Sequence, residues 1–302
     1  METSTRKLSL VQVDVFTDRA LTGNALAVIP DGRGLTTEQM QALARETNLS
    51  ETTFILPGEA AAEKERGVRV RIFTVQEELP FAGHPTLGTA FVLRGQSGAS
   101  EVRLELNVGT VPVRFTQTDS SAFGEMTQKD PEFGAIHDAQ AIAALTNLSA
   151  SDFDPSAPIQ TVSTGMPFTI AAVRSLKTLQ GLRVDVPRAS EYLSRSGGKF
   201  LYFVCPETID PDARLHARMI FYNGEDPATG SAAGCCAAWM VAYGVAASDE
   251  QVKIEQGLEM HRPSSIFVRA TKQNHQHDNQ VINVRVGGNC VEVLRGEITL
   301  TI

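Results

Sequence analysis

Two stretches of this chain place carboxylates, glycines and polar helix starts in the same order. RIFTVQEELPFAGHPTLGTA begins at Arg71 and RMIFYNGEDPATGSAAGCCA begins at Arg218, an offset of 147 (218 minus 71). Without a gap, Arg71 meets Arg218, Glu78 meets Glu225, Pro80 meets Pro227, Gly83 meets Gly230 and Ala90 meets Ala237. Each copy reads as strand, acidic turn, proline, glycine and a helix of small residues, an order that points to an internal duplication. A glycine ahead of a helix lets a ligand approach the backbone closely. The first helical turn adds unpaired N–H groups and the positive end of the helix dipole. That chemistry suits a carboxylate or a phosphate. His84 and Ser231 fall at matching positions of the two copies. Two such starts facing each other across a cleft would grip an anionic small molecule from both sides. One copy taken alone reads equally well as a turn into a helix.

Glu51 is a further candidate. It follows Leu49 and precedes the apolar run Phe54-Ile55-Leu56. A glutamate desolvated in such a setting has a raised pKa, nearer the range in which a general base works. From its neighbourhood alone, a surface or salt-bridged carboxylate is the simpler reading. The four cysteines, Cys205, Cys235, Cys236 and Cys290, include no Cys-x-x-Cys pair and read as buried, inert thiols. His275 and His277 lie in the polar run TKQNHQHDNQ, which reads as a hairpin tip, and no cluster has zinc-site spacing.

Those residues need a scaffold, and the rest of the chain describes one. With 302 residues, 42% hydrophobic and 21% charged, the chain has the composition of a globular protein of about two domains. Its net charge of -8 argues against nucleic acid as a partner. The start of the chain lacks a long apolar stretch, and the apolar segment Gly234–Val245 is too short to span a bilayer. A cytoplasmic protein with no membrane partner is expected. Strands are expected at Leu8–Phe16, Ala25–Ile29, Glu51–Leu56 and Val68–Thr74, with a turn at Leu21–Asn24. Thr36 and Gln39 form a capping box for a helix with Met40, Leu43 and Ala44 on its inner face. A helix is expected at Pro85–Leu93 and strands over Val102–Phe115. The polar stretch Thr116–Phe133 reads as the domain crossover. Beyond it the pattern gives a helix at Ala139–Leu145 and strands at Ile170–Val173, Phe200–Cys205 and Arg218–Tyr222. A helix at Ser231–Tyr243 and strands at Val281–Val286 and Cys290–Leu300 complete it. Many strands with few helices make an α+β fold.

The segments VDVFTDRALTGNALAVIPDG, ETNLSETTFIL, RIFTVQEELPFAGHPTLGTAFVL and GEDPATGSAAGCCAAWM resemble the PhzF-like phenazine-biosynthesis family, relatives of diaminopimelate epimerase. The closing run RVGGNCVEVLRGEITL extends the resemblance over nearly the whole chain. The resemblance implies two pseudo-symmetric α+β domains, each an antiparallel sheet or barrel wrapped around a central helix, with the ligand between them. Residues 1–120, completed by the last strand at about 290–302, would form the first, and 130–289 the second. It also implies a homodimer. It assigns the catalytic glutamate of Asn-Leu-Ser-Glu to Glu51, after Asn48, Leu49 and Ser50. The histidine of Ala-Gly-His-Pro becomes His84, after Gly83. The aspartate of Asp-x-Ala-Thr-Gly-Ser becomes Asp226, with Gly230 and Ser231 completing the helix start.

The epimerase relatives use two cysteines, one at each helix start. Here those starts read Phe81-Ala82-Gly83-His84 and Asp226-Pro227-Ala228-Thr229, without a thiol. A carboxylate must then move the proton. The expected activity is a cofactor-independent proton shift on a small carboxylic acid, with no metal and with Glu51 as general acid and base in the interdomain cleft. Backbone N–H groups at Gly83, His84, Gly230 and Ser231 would hold the substrate carboxylate and stabilise developing charge. His84 and Asp226 would orient the substrate or relay a proton. A non-catalytic small-anion-binding protein of the same fold is the alternative. A hydrolase using His84 with Ser231 is weaker, because no Gly-x-Ser-x-Gly elbow is present.

Overall fold

The alternating run near the start of the chain forms β1 (Thr5–Val15), which buries Leu8, Val11, Val13 and Val15. The computed structural model describes residues 5–95, 98–117, 122–221, 224–275 and 278–301. His277 and Tyr222, named above, lie outside them. The chain divides into two compact units, residues 1–126 with 287–302, and residues 127–286.

In the first unit β1 is followed by β2 (Asn24–Ile29), α1 (Thr37–Thr47), β3 (Glu51–Leu56), α2 (Ala60–Arg66), β4 (Val68–Phe73) and β5 (Glu78–Leu79). Next come α3 (Gly83–Arg94), β6 (Glu101–Leu106), β7 (Gly109–Gln117) and β8 (Ala122–Thr127). The Thr36–Gln39 capping box opens α1, and Asn48 closes it in the left-handed conformation at φ 50°. Asparagine tolerates that conformation better than most residues. Met40, Leu43 and Ala44 pack with Leu8, Ile29, Phe54 and Phe73 into one core cluster.

The second unit contains β9 (Glu132–His137), α4 (Ala139–Ala143), β10 (Ile159–Ser163), β11 (Pro167–Ala172), α5 (Leu176–Gln180), α6 (Val186–Ser196) and β12 (Phe200–Cys205). It continues through β13 (Leu215–Phe221), β14 (Gly224–Asp226), α7 (Gly230–Ala242), β15 (Val252–Gln256) and β16 (Ser264–His275). β17 (Asp278–Thr301) starts in this unit and ends in the first. Its core gathers Ile142, Phe153, Val173, Leu193, Leu201 and Phe203, among others.

In the first unit the pairing runs β17, β1, β2, β3, β4, β6, β7, β8 and back to β17, so the sheet closes on itself. In that ring β2–β3 and β4–β6 are parallel, and β1 pairs antiparallel with both β17 and β2. α3 packs against β1, β2, β3, β6 and β7, and its residues Gly83–Ala90 are buried. This is an α+β fold with a barrel-like sheet around a helix. In the second unit α7 packs against β10, β11 and β16, and every residue from Gly230 to Val241 is buried. No helix among the described residues is long and apolar enough to cross a membrane.

Several readings of the sequence are corrected. The crossover stretch Thr116–Phe133 carries a strand that went unread, β8 at Ala122–Thr127. The two terminal strands are one, β17, which runs through Gly287-Gly288. Those glycines answer to crowding rather than to a turn. A Cβ on Gly287 would stand 2.7 Å from the Gly124 carbonyl, and one on Gly288 would stand 2.6 Å from Phe16 Cδ1. Helices are more numerous than expected, and α2, α5 and α6 went unread, as did strands β5, β9, β10, β14, β15 and β16. For α6 a signal was present: Asp185 caps it by accepting from the Arg188 N–H, and Pro187 sits in its first turn.

Candidate active site

The site of the first unit is built where α3 begins. α3 lies close on the sheet because residue 88 is glycine. A Cβ there would meet Leu26 Cδ2 at 2.7 Å and Val15 Cγ2 at 2.8 Å. Thr89 Oγ1 donates to Thr53 Oγ1 at 2.8 Å, pinning the helix to β3. β2 and β3 run parallel with Leu26 opposite Glu51. At the far side of β3, Thr52 and Thr47 join hydroxyls at 2.6 Å, so the turn out of α1 is held.

This scaffold brings Glu51, the first residue of β3, beside His84, the second residue of α3. His84 Nε2 stands 3.4 Å from Glu51 Oε2, and their side chains are 3% and 7% exposed. Asn24, the first residue of β2, presents its amide Nδ2 to His84 Nδ1 at 3.1 Å. Burial pushes the His84 imidazole down from 6.5 to about 3, so it is neutral at ordinary pH. Gly83 opens α3, and Ser50 lies partly buried just before β3. Ala82 makes no side-chain cap, which leaves the helix start without a side-chain acceptor from its own cap residue.

Asp226, Gly230 and Ser231 belong to the second unit. Asp226 ends β14 and is 4% exposed. Its Oδ2 accepts from Thr229 Oγ1 at 2.6 Å. Gln256, at the end of β15, clamps the loop between them. Its Nε2 donates to the Asp226 carbonyl at 2.7 Å and to Thr229 Oγ1 at 2.9 Å. Its Oε1 accepts from Thr229 N–H at 3.1 Å and from the Tyr202 hydroxyl at 3.2 Å. Gln128 holds the helix start itself by donating to the Gly230 carbonyl at 3.1 Å. Ser231 is the second residue of α7 and is buried.

Arginine and glutamate of the repeat meet in each unit. Arg71 donates to Glu78 at 2.9 and 2.6 Å, and Arg218 to Glu225 at 2.8 and 2.6 Å. Both pairs straddle a tight antiparallel turn with Ile72 opposite Leu79 in one unit and Met219 opposite Asp226 in the other, each position 147 on. The strands preceding them pair Phe54 with Arg71 and Phe203 with Arg218. Counting back three residues from each phenylalanine, the strand position of Glu51 corresponds to Phe200. The second unit has no carboxylate there.

Cys235 and Cys236 lie in α7, free and fully buried, and burial raises both thiols, Cys235 to about 11. Neither is at a helix start. Among the described residues no group of three or more His, Cys, Asp and Glu is placed to hold a metal ion. Asn24, Thr229, Gln128 and Gln256 were not singled out from the sequence. Asn24 was read only as part of a turn and Thr229 only as part of the second helix start, and nothing local to Gln128 and Gln256 marks them.

A helix-centred barrel with a sealed carboxylate–imidazole pair at the helix start defines the class of this protein. The chain belongs to the PhzC-PhzF family of phenazine biosynthesis-like proteins, which matches residues 13–296. An uncharacterized isomerase of Mesorhizobium japonicum is 39% identical, covering 94% of this chain and 96% of that protein. The trans-2,3-dihydro-3-hydroxyanthranilate isomerase of Pseudomonas chlororaphis is 34% identical, covering 96% and 99%. The crystal structure of a Bacillus anthracis phenazine biosynthesis protein of the PhzF family superposes with a TM-score of 0.84 at 26% identity, covering 98% of this chain and all of that one. The similarity is thus to isomerases.

Proposed function

We propose that this protein is an isomerase that shifts a proton within a small unsaturated carboxylic acid, with Glu51 as general acid and base. One observation carries the reading: the buried Glu51 carboxylate lies 3.4 Å from a neutral imidazole at the start of an enclosed helix. Glu51 takes a proton from carbon, and the electron pair of that C–H bond moves into the conjugated system. Glu51–H then returns the proton to a second carbon as the double bond shifts, so nothing is gained or lost. The N–H groups of Gly83 and His84 bind the substrate carboxylate and stabilise the charge that develops. Ser50 lines the same site beside Glu51. Asp226, Gly230 and Ser231 form the substrate-binding set of the second unit, with Asp226 orienting an amine or hydroxyl. A homodimer, implied by the family resemblance, belongs to the same proposal and is read by sedimentation.

The first substrate to try is trans-2,3-dihydro-3-hydroxyanthranilate, because a relative is named for it. Other cyclic and open-chain unsaturated acids follow. Each is incubated in heavy water, and product formation and deuterium at carbon are read by NMR. Glu51→Gln should keep the fold and lower turnover by about 10²- to 10⁴-fold, the usual worth of a general acid–base residue. Near-normal turnover in a folded Glu51→Gln protein would sink the assignment. Tight binding of an acid with neither product nor exchange would make the protein a binder instead.

A further inference from the structure

We propose that Asn24 is a positioning residue that fixes His84 as its Nε2–H tautomer, so that the ring turns a proton and not a lone pair toward Glu51. The inference rests on the reading of Glu51 as the proton-transferring group. Its geometry comes from three elements. Asn24 opens β2, two residues before Leu26, so both side chains lie on one face of the strand. Leu26 pairs with Glu51 across the parallel ladder, and that is the face on which α3 rests through Gly88. Asn24 and Glu51 therefore flank the same helix start, where His84 lies between them.

The chemistry then follows from donor inventory. The Asn24 amide nitrogen faces His84 Nδ1 at 3.1 Å, and an amide nitrogen donates but does not accept. Nδ1 must supply the lone pair. A neutral imidazole has one ring proton, and it is left on Nε2, the atom 3.4 Å from Glu51 Oε2. The hydrogen bond made by one ring nitrogen thus decides what the other offers. In this tautomer His84 turns its Nε2–H toward the Glu51 carboxylate oxygen, 3.4 Å away, and so favours the orientation that oxygen takes. The reversed tautomer would set a nitrogen lone pair against a carboxylate oxygen. Asn24 is 1% exposed, so no water competes freely for the ring.

The test is the ring-nitrogen spectrum of His84 in uniformly ¹⁵N-labelled protein, assigned by its disappearance in His84→Gln. Wild type should show Nδ1 unprotonated and Nε2 protonated. Asn24→Asp keeps size but can only accept, so the proton should move to Nδ1 and turnover should fall by about 100-fold or more. Asn24→Ala removes the bias and should show both tautomers. A protonated Nδ1 in wild type overturns the inference, even if the variants do not fold. An Asn24→Asp protein with unchanged tautomer and turnover also overturns it. The spectrum needs no substrate, so an active Glu51→Gln enzyme would defeat the functional reading while leaving the tautomer assignment standing.

Discussion

His84 Nε2 and Glu51 Oε2 come within 3.4 Å of each other inside a nearly sealed site. Neither strand β3 nor helix α3 would place them so without the close seat of α3 on β2.

The two most perturbed histidines pull stability in opposite directions with pH. His84 falls from 6.5 to about 3 through burial, so between those values the unfolded chain binds a proton that the folded chain refuses. Stability therefore declines as pH drops from 6.5 toward 3. His216 also loses solvent, but Glu255 and Glu259 accept from its two ring nitrogens at 2.7 and 3.0 Å and lift it to about 9. Its contribution is fully present below 6.5 and is lost as pH rises through 9. Urea unfolding at a series of pH values should show both limbs. His216→Gln should flatten the limb above 6.5 and cost about 3–5 kcal/mol, because two buried carboxylates lose their cation.

Gly88→Ala tests the seat of α3. Alanine gains about 1 kcal/mol in helix propensity. Against that, its Cβ meets two side-chain carbons at 2.7 and 2.8 Å, and overpacking of this kind costs about 1–3 kcal/mol. The net expectation is a change between about zero and 2 kcal/mol of destabilisation. Turnover should fall more than stability does, since the shift is passed to His84. A variant more stable than wild type with full activity would show that the seat can give way freely.

Gln256→Ala removes the side chain that joins β15 to the start of α7. Four hydrogen bonds go at once, leaving the Thr229 N–H and the Asp226 carbonyl buried without that partner. Taking a partner away from a buried polar group costs about 1–3 kcal/mol, so a total loss of about 3–5 kcal/mol in denaturant unfolding is expected. If Asp226 binds substrate, KM rises with it. A change under 1 kcal/mol, on the same scale, would mean the loop finds other partners.

The thiols should be silent. Cys205, Cys235, Cys236 and Cys290 are all buried and free, and burial raises every one of them. Titration with an aromatic disulfide should find no fast-reacting thiol in the native protein and all four in guanidinium. Inactivation by an alkylating reagent that labels a native cysteine would contradict this and reopen thiol chemistry.

How much of this was legible varies by range in sequence. The repeat was visible as an offset of 147, and the structure explains two of its identities as the ion pairs Arg71–Glu78 and Arg218–Glu225. β3 and β12 have the bounds their apolar runs suggested. β8 was missed because its alternation, burying Ala122, Gly124 and Met126, is carried by small residues within a polar stretch. β17 was cut in two because a Gly-Gly pair reads as a turn when the crowding beside it is unknown. Phe16 and Gly124, which impose that crowding, lie far away in the chain.

By itself the sequence determined the local devices. These are the capping box at Thr36 and the glycines that open α3 and α7. Each depends on bonds and sterics within a few residues, and so is written locally. The tertiary structure alone decided that His84 stands between Asn24 and Glu51, and that Gln256 holds Asp226 and Thr229. It also decided that the imidazole is neutral while His216 is charged. Hydrogen-bond partners and desolvation come from residues distant in the chain, and only folding puts them in contact.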